Sequence, residues 1–311
     1  MSVLEVWNFV IGNETVCAIS IIVLLFFILK GSYDSNQRKK ETVKYEDKIK
    51  RLAVELVKPY QSNVAPEHIQ REVRLLAREI NNPKTADDFF LKAYVSQMEN
   101  NHNESTKYFE KAIAKKPDFA EAYYGMGVSF QKIEKYRNAL PYYEQATLFK
   151  PDYTNAYFNM GYSHQELGNS HEAIQSYQKA IGTKTDNVTA QAYNNMGIEY
   201  FAINNDANAL QSFQKAIVAD PDFAAAYNNM GYTCQELGKP GKAVKSLQKA
   251  IDLKPDYTDA HYNMGVAFER LGNHSKANEC FQRATEFAQP NKKPDQFSAL
   301  LAKYRFHTNR R

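Results

Sequence analysis

Residues 224–257 read AAAYNNMGYTCQELGKPGKAVKSLQKAIDLKPDY. Two helix-like stretches flank the turn residues Gly238-Lys239-Pro240-Gly241, and Pro255-Asp256 closes the segment. Small residues sit where two helices must cross closely: Gly231 in the first stretch, Ala243 and Ala250 in the second. A proline cannot continue a helix but suits a turn and the start of the next helix. The aspartate behind it favours a turn and a helix N-terminus.

The same arrangement returns along the chain, and a fixed interval of this kind marks a repeat architecture. Met-Gly recurs at 126–127, 160–161, 196–197, 230–231 and 264–265, at intervals of 34, 36, 34 and 34 residues. Alanines follow in register at 139, 173, 209, 243 and 277, and again at 146, 180, 216, 250 and 284. Large aromatics fill the space between helices: Tyr123, Tyr157, Tyr193 and Tyr227 in the first helix, Tyr143, Tyr177, Phe213 and Phe281 in the second.

This pattern resembles the tetratricopeptide-repeat (TPR) family. The resemblance implies an all-α superhelical solenoid with copies at 120–153, 154–187, 190–223, 224–257 and 258–291. A degenerate copy precedes them at 86–119, with Ala93 in place of glycine and Ser105 in place of alanine. In the copy at 154, Thr185 stands where proline is expected and Val188-Thr189 are extra, which predicts a bulged turn; His261 replaces an aromatic in the last copy. Gln296–Phe306, within 292–311, reads as a polar-faced capping helix followed by a basic tail.

The resemblance also places the first helix of each copy on the concave wall, where the family binds extended peptides or partner helices. The sixth position of the copies reads Gly125, Asn159, Asn195, Asn229 and Asn263. These asparagines resemble the ladder in the non-catalytic part of O-GlcNAc transferases, in which amides meet a peptide backbone. An amide offers both donor and acceptor, so it pairs with main chain of any sequence; equally, it satisfies local backbone groups between helices. Tyr124, Phe158, Tyr162, Asn194, Asn228, Tyr232 and Tyr262 complete the expected groove. The tyrosines at the fifth and ninth positions have no packing duty in the repeat pattern. The basic residues with which some family members clamp a chaperone's C-terminal carboxylate are missing from the corresponding positions.

Ahead of the repeats, residues 1–9 are a short tail, and Val16–Leu29 reads VCAISIIVLLFFIL. Fourteen helical residues rise about 21 Å, and extension back to Val10 approaches the roughly 30 Å hydrocarbon core. Residues 10–29 therefore read as a transmembrane helix. No basic residue precedes this run, whereas Lys30, Arg38, Lys39, Lys40, Lys44, Lys48, Lys50 and Arg51 follow it. The positive-inside bias puts the N-terminus outside and the repeats in the cytoplasm. Residues 30–85 read as a basic juxtamembrane stalk with a short helix at 67–80.

The chain of 311 residues has net charge +4, but its two basic ends carry the excess and the body is nearly neutral. No basic stripe for nucleic acid runs along the body. The three scattered cysteines form no CxxC pair, so neither a disulfide framework nor a zinc site is expected. His171-Glu172 lacks a second histidine at ligand spacing, and Gly238–Lys242 lacks the form of a phosphate loop. The reading is of a non-enzymatic, membrane-tethered scaffold or receptor with no catalytic, cofactor or metal residues. A self-assembling coat on a membrane compartment is the alternative, and an enzyme with a site composed across repeats a remote one.

Overall fold

The computed structural model describes residues 86–181 and 187–288, together with the helical positions Glu67, Arg71, Arg74 and Leu75. The expected membrane span, most of the stalk and the capping segment lie outside the described residues. Among the described residues no helix is long and apolar enough to cross a membrane, and no His/Cys/Asp/Glu cluster could hold a metal ion.

The twelve helices described pair into hairpins at the expected register. A first compact unit ends at Lys150 and a second begins at Pro151. In the first, α1 (Ala86–Met98) pairs with α2 (His102–Lys115), and α3 (Ala120–Lys132) with α4 (Tyr136–Phe149). The second unit contains α5 (Thr154–Glu166) with α6 (Ser170–Ala180), α7 (Asn187–Ala202) with α8 (Asp206–Ala219), α9 (Ala224–Glu236) with α10 (Pro240–Leu253), and α11 (Thr258–Arg270) with α12 (His274–Phe287).

Close crossing explains the small residues. A Cβ added at Gly161, Gly197 or Gly231 would lie 2.7, 2.5 or 2.6 Å from Tyr177, Phe213 or Leu247 on the partner helix. The register alanines at 173, 180, 209, 216, 243 and 250 are fully buried beside these contacts. The degenerate copy keeps the fold by substitution in kind, because Ser105 Oγ donates to the Ala93 carbonyl at 2.8 Å across the α1–α2 crossing.

Two local features add to expectation. Each Pro-Asp turn leads into a helix as expected, and the residue between them is an aromatic, Phe119, Tyr153, Phe223 or Tyr257, none of which makes a side-chain cap hydrogen bond. Phe119 and Tyr257 are buried, so these entries are held by packing. The extra Val188-Thr189 does not sit in a turn. Both residues join α7, which has 16 residues against 13 in α5 and α9, and Thr189 is buried. The turn around Thr185 lies outside the described residues.

Candidate interaction surface

The expected groove residues come from the first helices of the copies, and in the second unit five of the asparagines meet in one hydrogen-bonded chain. Asn263 Nδ2 donates to Asn228 Oδ1 at 3.0 Å. Asn228 Nδ2 donates to its neighbour Asn229 Oδ1 at 3.2 Å, and Asn229 Nδ2 to Asn194 Oδ1 at 3.0 Å. Asn194 Nδ2 donates to Asn195 Oδ1 at 3.3 Å, and Asn195 Nδ2 to the Tyr177 hydroxyl at 3.2 Å. Tyr177 in turn donates to Gln165 Oε1 at 2.6 Å. The polarity never reverses from α11 to α5.

This spine needs asparagine at both the fifth and sixth positions of a copy. The sixth reaches the preceding copy, and the fifth receives from the following one. Only the copies at 190 and 224 have both residues, and there the amides are buried: Asn194 and Asn195 are 5% exposed, Asn228 0% and Asn229 2%. Burial in such a place is tolerated because the amides satisfy one another. The amide row is thus an inter-copy bond made between side chains, rather than to the local backbone groups that the second sequence reading named. Asn263 and Asn159 are half-buried, and Asn159 lies on α5 near the far end of the row.

The aromatic members divide. Tyr262 is 51% exposed, while Phe158 and Tyr162 are half-buried on α5. Tyr232 is buried edge-on against Phe201, with centroids 5.6 Å apart. Contrary to expectation, the fifth-position rings do have a packing duty. Phe158 tilts on Tyr177 at 5.5 Å, Tyr262 on Phe281 at 5.5 Å and, in the first unit, Tyr124 on Tyr143 at 6.0 Å. Each covers the second-helix ring that the register glycine admits.

Gly125 stands where the other copies have asparagine, and its environment says why. A Cβ there would lie 2.3 Å from the Phe109 ring. For the copy at 190 the equivalent ring is Tyr177, whose hydroxyl instead meets Asn195.

Sequence reasoning assigned Tyr177 to packing between helices, and missed its place and that of Gln165 in the spine. A signal was available. The two copies with tyrosine on the second helix have glutamine at the twelfth position, and both make the same bond: Tyr177 to Gln165, and Tyr143 to Gln131 at 2.5 Å. Where Leu247 replaces the tyrosine, Gln235 Nε2 turns to the Asn263 carbonyl. Arg270, also missed, donates to the Gln235 carbonyl and to Glu236 Oε1 at 3.0 Å, tying the last two copies together. Burial pushes the Tyr177 phenol well above its ordinary value; nearby Glu199 adds to this, and the Asn195 bond opposes it. Tyr177 therefore remains a donor throughout the neutral range.

Comparison with known proteins agrees with this architecture. A TPR-repeat family model matches residues 197–238 and 233–272. Two further tetratricopeptide-repeat models match 120–153 and 154–187, and 258–291. Together they cover more than half of the chain. No curated protein matches it in sequence. Among solved structures, the chain is similar to PilW, a widely conserved type IV pilus biogenesis factor, at 20% identity and TM-score 0.57, over 71% of this chain and 100% of that one. It is similar to pilF of Pseudomonas aeruginosa at 14% and 0.56, over 70% and 97%. A fragment of MamA from Desulfovibrio magneticus RS-1 aligns at 21% and 0.50, over 56% and 97%. At these identities the likeness is one of fold.

Proposed function

The chain belongs to the tetratricopeptide-repeat superfamily, and on that premise we propose that it is a membrane-tethered scaffold whose cytoplasmic repeats capture an extended segment of a partner protein. The observation that carries the reading is the set of partly exposed aromatics on the two helices, α5 and α11, at which the spine ends. Tyr262 is exposed, and Phe158 and Tyr162 are half-buried, on first helices of the second unit. Aromatics with polar handles are the usual anchors of protein interfaces. Half-buried Asn159 and Asn263 stand on the same two helices and would meet the partner's main chain there, while the buried amides between them keep the wall in register.

Tethering by residues 10–29, with the N-terminus outside, would confine the repeats to the cytoplasmic face and raise the effective concentration of partners there. The family resemblance implies binding rather than catalysis.

Site-specific photo-crosslinking in cells tests the capture. A photoreactive residue at Tyr162 or Tyr262 of the full chain should give adducts with another protein, and one at outer-face Val218 should not. Adducts only between copies of this chain would instead support a self-assembling coat. Adducts from Val218 alone would sink the inner-wall reading.

A further inference from the structure

Helix α10 carries its lysines against two local electrostatic rules. Lys239 is its N-cap residue and Lys242 lies in its first turn, behind Pro240. The unpaired N–H groups of a helix start disfavour cations. Lys242, Lys245 and Lys249 then recur on one exposed face, opposite buried Ala243, Leu247, Ala250 and Ile251. Like charges three and four residues apart repel.

None of the three forms an ion pair with another described residue, and the one acid on the helix is Asp252, three residues after Lys249. Ion pairs elsewhere in the repeats include Lys150–Glu121, Arg270–Glu236 and Arg283–Glu279. Arg270 thus engages Glu236 at the end of α9, and Asp252 of α10 accepts from Gln248. Copy 224–257 holds five lysines against three acids, whereas the other three copies of the second unit each hold more acids than bases.

We propose that the outer face of α10 docks on an anionic lipid surface. All its cations are lysines, compact point charges suited to a diffuse surface potential rather than to the bidentate recognition that arginine performs. The helix has no aromatic residue on which a base could stack. The anchor read at residues 10–29 keeps lipid within reach of the same chain, and the inference rests on that reading for proximity but not for its chemistry. A lysine near an anionic leaflet changes partitioning about fivefold, so three together amount to about a hundredfold.

The test uses the full chain in vesicles of phosphatidylcholine alone or with about one-third phosphatidylserine. Amine acetylation is followed by mass spectrometry at Lys242, Lys245 and Lys249, with exposed Lys179 and Lys215 as internal controls. On phosphatidylserine the three α10 lysines should label several-fold more slowly than the controls, and high salt should abolish the difference. Equal labelling in both vesicles overturns the proposal. So does slowing by soluble polyglutamate but not by phosphatidylserine, which would make the face a site for acidic protein. Alkaline extraction reports the anchor separately. A chain that washes off phosphatidylcholine vesicles yet shows lysine protection on phosphatidylserine overturns the tether and supports the lysine face; a retained chain without protection overturns the lysine face alone.

Discussion

At the scale of single residues, glycines of different surroundings make opposite predictions. Gly231 faces Leu247 at 2.6 Å and the Ala243 carbonyl at 3.3 Å, so neither side of the crossing is free to retreat. Gly231→Ala should lower unfolding free energy by about 1–3 kcal/mol through overpacking. Gly241, inside α10, has nothing within 4 Å of an added Cβ, and Gly241→Ala should raise stability by about 0.5–1 kcal/mol. Urea midpoints of the two variants moving in the same direction would contradict the packing account. The Tyr177 phenol supplies a pH signature. Its proton is held more tightly folded than unfolded, so the stability it contributes is complete below its ordinary pKa and falls as pH rises beyond about 10. Tyr177→Phe should therefore be less stable than the parent at neutral pH, where the Asn195 and Gln165 bonds are lost, and the deficit should shrink toward pH 11 or so. Urea unfolding at the two pH values checks both halves.

At the scale of elements, the turns between paired helices show what sequence could and could not reveal. The second residue after each first helix takes the left-handed conformation: Asn100, Glu134, Gly168, Asn204, Gly238 and Gly272, with φ from 58° to 77°. Glycine or asparagine fits this region and a glutamate does not. Glu134→Gly should stabilise the α3–α4 hairpin by about 1 kcal/mol, read as a rise in urea midpoint, and an unchanged or lowered midpoint would count against this. Helix pairs were legible because Gly127, Gly161 and their equivalents, with the alanines behind them, return at a fixed interval set by steric contact. The amide spine was only half legible. Asn195 and Asn229 were visible as a row, but whether an amide faces a ligand or its neighbour depends on how far one copy is rotated against the next. That rotation is set by whole-helix packing and not by any residue type. The place of Tyr177 in the spine was hidden for the same reason, since its bond to Asn195 crosses a junction between copies. The Pro-Asp turns were legible as helix entries, whereas the part that buried Phe119 and Tyr257 play at the N-cap was not, because it comes from packing between copies.

At the scale of the second unit, stacked copies behave as a one-dimensional array whose stability sums the copies and their junctions. The spine runs through three such junctions, from Asn263 on α11 to Tyr177 on α6. Asn229 is its middle link. Removing that side chain leaves Asn194 Oδ1 without its donor and Asn228 Nδ2 without its acceptor, both in buried positions. Each such loss costs about 1–3 kcal/mol, so Asn229→Ala should destabilise the unit by about 2–4 kcal/mol. The loss should also fall unevenly. Copies 224–257 and 258–291 remain joined by Asn263–Asn228, by Gln235 to the Asn263 carbonyl and by Arg270 to the Gln235 carbonyl. The array should therefore part between α8 and α9, with α9–α12 exchanging amide hydrogens as one block and α5–α8 as another. Asn263→Ala cuts the spine at its end and leaves Arg270 bridging, so it should lower protection mainly in α11 and α12 without dividing the rest. Native-state hydrogen exchange distinguishes the two variants. A uniform loss of protection across α5–α12 in both would mean that apolar packing alone couples the copies, and that the direction of the amide chain has no mechanical consequence.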